Sequence, residues 1–205
     1  FMDMPKPSKA ELKRLKYLQR RMSRQDRVNE ARGGKIAKFA SKRRQRTLTE
    51  FNTLQGRIVR RRNDWIEKTT TRLARENSLV VMEDLDVQAM TRRPKPKLDP
   101  NKPGQYLHNG AEAKVGLDRS ILSNCWGRIS KRLQDKMGAN GGRLAIVPAA
   151  YTSQACHKCG HVAKENRESQ AVFKCVECGY RANADVNAAK NILGRALIQT
   201  GGGTA

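Results

Sequence analysis

Leu12, Leu15, Leu18 and Met22 recur at near-helical intervals among basic residues. Ser8-Lys9-Ala10-Glu11 precedes them with a capping-box pattern, in which two side chains satisfy the free N–H groups of a helix start. The pattern predicts a helix over about residues 9–27, then a turn or irregular break over 28–41 around Gly33 and Gly34. A longer amphipathic stretch follows, with Phe51, Leu54, Ile58, Trp65, Ile66, Thr69 and Leu73 on one face. Arg60, Arg61 and Arg62 fall among its polar positions. Two such helices in succession predict a basic helical hairpin over 9–77.

The period then changes. Leu79-Val80-Val81-Met82 is apolar without alternation and runs into Glu83-Asp84-Leu85-Asp86. Such a run predicts a strand buried on both faces, and carboxylates just past its C-terminal end lie where α/β sheets gather their sites. Residues 88–113, with Arg92-Arg93-Pro94-Lys95-Pro96-Lys97, predict a long, basic, mobile loop. Ile121, Leu122, Cys125, Trp126, Ile129 and Leu133 predict one helix over 118–137, with Cys125 a small buried hydrophobe on its apolar face. Gly141-Gly142 turns the chain into a second strand, Leu144-Ala145-Ile146-Val147-Pro148. Val186, Ala189, Ile192, Leu193 and Leu197 predict the core stripe of a last helix over 184–198, before a flexible tail at 199–205.

Charge sharpens this picture. The 205 residues hold 42 Lys and Arg against 19 Asp and Glu, a formal net charge of +23. Self-repulsion of that size favours a polyanionic partner, and nucleic acid is the leading one, because each neutralised phosphate releases a counterion. No lipidation motif, signal peptide or membrane-spanning run is present in the sequence, so a cytoplasmic protein without a membrane partner is expected.

Cys156-His157-Lys158-Cys159 and Cys175-Val176-Glu177-Cys178 form two Cys-x-x-Cys knuckles, each followed by glycine, Gly160 and Gly179. This spacing is that of a four-cysteine zinc ribbon, expected over 150–182. Four thiolates saturate a tetrahedral ion, so the zinc is structural and cannot carry chemistry. His157 and His161 beside the knuckles read as exposed residues rather than ligands.

Two further segments matter together: Val80-Val81-Met82-Glu83-Asp84-Leu85 and Asn183-Ala184-Asp185-Val186-Asn187-Ala188-Ala189-Lys190-Asn191-Ile192. With Lys114-Val115-Gly116-Leu117-Asp118-Arg119-Ser120, Thr152-Ser153-Gln154-Ala155-Cys156, Asn166-Arg167 and the knuckles, they resemble the TnpB family of transposon-encoded proteins and the related compact type V CRISPR effectors. The resemblance covers nearly the whole chain, most loosely before residue 48. It implies an α/β, RNase H-like (RuvC-type) nuclease domain over 1–149 and 183–198, with the ribbon inserted before the last helix.

Enzymes of that kind are guided by RNA and cut DNA with divalent metal, two ions being held by three carboxylates. Glu83 and Asp185 match two of these and are the expected catalytic and Mg²⁺-binding residues. The first-strand Asp has no counterpart here, and it is expected upstream of Phe1 with the first strands. The implied partners are guide RNA and target DNA, with Arg60, Arg61, Arg62, Arg119 and Arg167 as candidate phosphate contacts. Two alternatives stay open: a guided DNA-binding protein that does not cut, and a nucleic-acid-binding transposition accessory factor.

Overall fold

The computed structural model describes residues 3–31, 41–102 and 104–201. The expected turn at Gly33-Gly34 and most of the expected tail lie outside the described residues. Two compact units divide the chain, residues 1–69 and 70–205.

The first unit is built from helix α1 (Lys9–Ala31) and most of helix α2 (Lys42–Glu76), whose last residues from Thr70 on belong to the second. The capping box forms as the sequence predicts. Ser8 N–H donates to Glu11 Oε2 at 2.9 Å, and Glu11 N–H donates to Ser8 Oγ at 3.1 Å. Leu18 is fully buried on α1, and Ile58 and Ile66 are buried on α2. Ion pairs clasp the helices: Arg14 to Glu50, Arg44 to Asp26 at 2.8 Å, and Arg61 to Glu11 at 2.7 Å. The Arg61 guanidinium, helped by Ser8, holds the Glu11 carboxyl below its ordinary range. Helix α1 runs four residues past the expected end, to Ala31.

In the second unit, strand β1 (Leu79–Asp84) pairs in parallel with β2 (Arg143–Pro148), in a register that sets Met82 beside Ile146 and Glu83 beside Val147. Helices α3 (Val87–Met90), α4 (Ala111–Ser123) and α5 (Trp126–Ala139) fall between them in sequence. A parallel pair needs such a crossover. The return into β2 depends on Gly142, where a Cβ would lie 2.7 Å from Met137 Cε and 3.2 Å from the Ser78 carbonyl oxygen. Its own N–H donates to the Met137 carbonyl at 2.8 Å.

A ribbon follows, with strands β3 (Val172–Lys174) and β4 (Arg181–Asn183) antiparallel, and helix α6 (Ala184–Gly201) closes the chain. Helix α5 packs on β2, whereas α6 packs on both β1 and β2. The core there joins Ala145, Val147 and Ala196, with Leu79, Val81 and Ile192 against them.

Further expectations change, among them the loop over 88–113, which holds part of α3, a Leu98–Tyr106 bridge and the start of α4. Strand β1 buries only Met82 fully, because β2 is its one strand partner among the described residues. The predicted helix over 118–137 is two helices. It breaks at Asn124-Cys125, where Cys125 adopts a left-handed backbone (φ 52°) and is half-buried rather than a core side chain. The stripe of α6 is also displaced. Val186, Ala189, Leu193 and Leu197 are exposed, while Ala184, Asn187 and Ala196 are buried. The buried side of α6 binds by amide hydrogen bonds, described below, which hydrophobic periodicity does not register.

Candidate functional site

The ribbon's geometry follows from its knuckles. Gly160 and Gly179 take left-handed φ angles of 78° and 69°, a conformation glycine enters without penalty. That turn lets Gly160 N–H reach the Cys156 carbonyl at 2.8 Å and Gly179 N–H reach the Cys175 carbonyl at 3.0 Å. All four sulfur atoms then lie within 4.8 Å of one another. Cys156 and Cys178 Sγ are 3.7 Å apart, and Cys159 and Cys175 Sγ are 3.6 Å apart. A tetrahedral zinc with bonds of about 2.3 Å requires sulfur pairs at about 3.8 Å, so the cluster fits the ion.

The thiols' acidities carry the same message. The Cys178 N–H, 3.5 Å from its sulfur, is the main cause that brings Cys175 down to about 6. Cys159 has the His161 backbone N–H in its favour, yet desolvation and the three neighbouring thiols outweigh it and push Cys159 up to about 12. The Cys175 thiolate is thus favoured and the Cys159 thiolate opposed, and a bound cation would offset the repulsion between them.

Asn166, completely buried, staples the knuckles together. Its Nδ2 donates to the Gln154 and His161 carbonyls at 2.9 and 3.2 Å, and its Oδ1 accepts from Val176 N–H at 2.9 Å. Phe173, also buried, packs with Tyr180 beneath Cys156 and Cys175. The ribbon is in turn bonded to α6. Asn187 Nδ2 donates to the Ala155 carbonyl at 2.8 Å, and its Oδ1 accepts from His157 N–H at 3.1 Å. Asn191 Nδ2 reaches both the Thr152 and Ala155 carbonyls, at 2.9 and 2.7 Å.

Glu83 stands near the end of β1, half-buried, and accepts a hydrogen bond from Thr152 Oγ1 at 2.5 Å. Thr152 itself is 3% exposed. Asp185 lies in the first turn of α6, which Asn183 caps by accepting from the Asp185 and Val186 N–H groups at 2.9 and 3.2 Å. Its side chain is 88% exposed, with the Arg167 guanidinium 3.9 Å away. The structure thus joins Glu83 to α6 through Thr152 and Asn191. It presents Asp185 to solvent six residues before Asn191, about 9 Å along the helix axis.

Sequence reading names Thr152, Asn166, Asn187 and Asn191 only within motifs and gives them no role. Asn187 and Asn191 sit four apart, on one helix face, inside an otherwise alanine-rich segment, and that spacing was the available signal.

The candidate phosphate contacts differ in their freedom. Arg60 and Arg119 are exposed, on α2 and α4. Arg61 is engaged by Glu11 and Arg62 is half-buried. A more continuous basic surface lies on α1. Lys13, Lys16, Arg20, Arg24 and Arg27 line one groove with Tyr17, all five exposed and, among the described residues, none with a carboxylate partner. At the helical rise they span about 21 Å. No helix among the described residues is long and apolar enough to cross a membrane.

Residues 126–192 match the family described as Cas12f1-like, TNB domain. InsQ of Escherichia coli K12, named as an RNA-guided DNA endonuclease, is 39% identical over 191 residues, covering 92% of this chain and 43% of InsQ. The CRISPR-associated endodeoxyribonuclease Cas12f1 of Sulfoacidibacillus thermotolerans is 52% identical over 64 residues, or 31% of this chain and 15% of its own. The CRISPR-associated DNA-binding protein Cas12m of Thermanaerosceptrum fracticalcis is 28% identical over 149 residues, 73% of this chain and 23% of its own. The chain therefore spans less than half the length of these relatives. It is an α/β chain with a four-cysteine metal-type cluster, and it belongs to the TnpB and compact type V effector family.

Proposed function

We propose that the protein containing this chain is an RNA-guided DNA endonuclease of the RNase H-like, RuvC type, acting with a guide RNA on target DNA. The 39% identity with InsQ across 92% of the chain carries the reading. Sequence specificity would come from base pairing with the guide, while the protein grips backbone shape. The α1 cations, together with Arg60, Arg119 and Arg167, are the phosphate contacts in this reading.

Glu83 and Asp185 are its catalytic residues. Both are hard oxygen donors of the kind Mg²⁺ takes, and their carboxylates leave room for water and substrate phosphate in the ion's shell. Bound there, a pair of Mg²⁺ ions would supply an activated water and charge stabilisation for in-line phosphodiester cleavage. The chain's own contribution is placement: β1 and Thr152 fix Glu83, and the Asn183-capped turn presents Asp185. Among the described residues the four cysteines are the only group of three or more His, Cys, Asp or Glu side chains placed to share a metal ion, and neither Glu83 nor Asp185 belongs to it. The zinc is structural and acts through α6.

The test is Mg²⁺-dependent cleavage of a target plasmid by the protein with its guide RNA. Glu83→Gln and Asp185→Asn should each reduce cleavage to background while leaving target binding intact. Cleavage that survives either change removes that residue from the site.

A guided DNA-binding protein without cleavage is the second reading. What favours it is the exposure of Asp185 and its neighbour Arg167, together with the likeness to Cas12m, which is named for DNA binding. An unmutated protein that binds its target and leaves it uncut decides for this reading.

A further inference from the structure

Thr152 is buried at the base of the ribbon, yet its hydroxyl is directed at a carboxylate on a different element. A carboxylate at a strand end ordinarily samples several rotamers, and losing that freedom has an entropic cost for any ion that needs one of them. Thr152 Oγ1, 2.5 Å from Glu83 Oε1, selects one rotamer in advance. The same oxygen lies 3.0 Å from the Ala149 carbonyl, so the hydroxyl is itself confined between two acceptors.

The backbone that carries Thr152 is held as firmly. Asn191 donates to the Thr152 carbonyl at 2.9 Å and to the Ala155 carbonyl at 2.7 Å. Asn187, fully buried, donates to that Ala155 carbonyl from one turn away at 2.8 Å. Two asparagines on one face of α6 thus clamp the segment that reaches Glu83. Cys156, a zinc-type ligand, follows Ala155 directly.

Resting on the catalytic reading of Glu83, we propose that Thr152 is a positioning residue for that carboxylate, and that Asn191 is the clamp through which α6 holds Thr152 in place. The hydroxyl takes one lone pair of Oε1 and leaves Oε2 and the remaining lone pair for a divalent cation. The Thr152–Glu83 bond thereby ties β1 to the ribbon's first limb, and the Asn191 bonds tie that limb to α6. This gives Glu83 and the helix bearing Asp185 a common mechanical reference, although the two carboxylates have different immediate partners.

The experiment compares Thr152→Val, Thr152→Ser and Asn191→Ala in the full protein with its guide RNA. Mn²⁺ binding is followed by electron paramagnetic resonance and the Mg²⁺ requirement by titrating cleavage. Zinc content and thermal unfolding are measured alongside. Thr152→Val should weaken Mn²⁺ binding about tenfold and raise the half-saturating Mg²⁺ concentration by the same factor, as loss of one hydrogen bond to a charged group predicts. Maximal cleavage at saturating Mg²⁺ should largely recover. Thr152→Ser, which keeps the hydroxyl, should restore both ion affinities, and Asn191→Ala should shift them in the direction of Thr152→Val.

Unchanged Mn²⁺ and Mg²⁺ dependence in Thr152→Val overturns the proposal. So does loss of zinc and folding in both Thr152→Val and Thr152→Ser, which makes the residue merely structural. Glu83→Gln is the control for the underlying reading. If it still cuts, the catalytic assignment fails, whatever Thr152 does.

Discussion

Asn166 Oδ1 accepts a hydrogen bond from Val176 N–H at 2.9 Å, and this one contact ties the loop of the first knuckle to the second. The amide's other end donates to two carbonyls, Gln154 and His161, so all its bonding capacity on that side is used inside the ribbon. Asn166→Asp would set a carboxylate oxygen against those carbonyls in a fully buried position. The expected cost is about 2–4 kcal/mol, from unsatisfied acceptors and a buried charge. Thermal unfolding and zinc competition against a chromophoric chelator should both register it. A variant as stable and as zinc-avid as the parent would show that the knuckles hold without this amide.

Zinc affinity should rise with pH. The Cys175 thiol has its pKa lowered to about 6, so its thiolate is present above that value and is lost as the pH falls through it. Cys159, at about 12, still carries its proton at neutrality, and zinc has to displace it. Calorimetry at pH 7 in buffers of different protonation enthalpy should therefore show proton release on binding. Affinity should weaken steeply below about pH 6, as protons compete for the ligands. A zinc affinity that does not change across this range would contradict the coupling.

The α1 face separates two kinds of arginine that composition cannot distinguish. Arg20 and Arg24 are exposed and lack carboxylate partners among the described residues, whereas Arg14 and Arg44 are spent on Glu50 and Asp26. Replacing Arg20 and Arg24 with glutamine should lower the salt dependence of nucleic-acid binding by roughly two in log–log slope, about 0.9 for each lost phosphate contact. Replacing Arg44 should instead cost helix-pair stability and leave the slope alone. Binding isotherms over a series of salt concentrations test this. Equal slopes for the parent and the Arg20/Arg24 variant would remove α1 from the interface.

Much of this arrangement was legible in the residues, and the rest was hidden for physical reasons. The capping box at Ser8 and Glu11 is local chemistry, and it formed as written. The knuckles were equally legible, since Cys-x-x-Cys-Gly encodes its own turn. Strands β1 and β2 were found, but not the half-exposed state of β1, because burial depends on which elements cover a strand. Cys125 misled because apolar periodicity continues through a helix break, which is set by a single left-handed residue. The stripe of α6 misled for the opposite reason: its first half is held through Asn187 and Asn191, which hydropathy counts as surface. Thr152 was visible only as part of a motif. Its bond to Glu83 spans 69 positions, a relation that spacing does not carry.

Gly142 should tolerate no side chain. A Cβ would meet Met137 Cε at 2.7 Å, which a flexible side chain can relieve, but also the Ser78 carbonyl oxygen at 3.2 Å, which belongs to the backbone entering β1. Gly142→Ala should cost about 1–3 kcal/mol through overpacking. Gly142→Val should cost more and disturb the Arg143 N–H to Ser78 carbonyl bond of 2.8 Å that starts the parallel register. Denaturant unfolding measures the cost. An alanine variant as stable as the parent would mean that the turn relaxes freely and does not set the register.

Zinc removal should act on α6 before it acts on the strands. The helix start rests on the ribbon: Ala184 N–H donates to the Ala171 carbonyl at 2.9 Å, and Ala184 is buried with Cys156, Phe173 and Cys175. Asn187 and Asn191 hold the Ala155 carbonyl, one residue from the first ligand. Without the ion, the thiols lose the charge that draws them together, and the knuckles have little other core to keep them folded. The lower half of α6 has separate support, since Ile192 and Ala196 pack on Ala145 and Val147 of β2. Chelation should therefore strip hydrogen-exchange protection from residues 184–191 and leave β1, β2 and the end of α6 protected. In the cleavage reading, Asp185 would lose its fixed position while Glu83 kept its strand, so activity should fall on zinc removal and return with zinc rather than with added Mg²⁺. Protection lost uniformly across α6 and the sheet would instead make the ribbon a keystone of the whole unit.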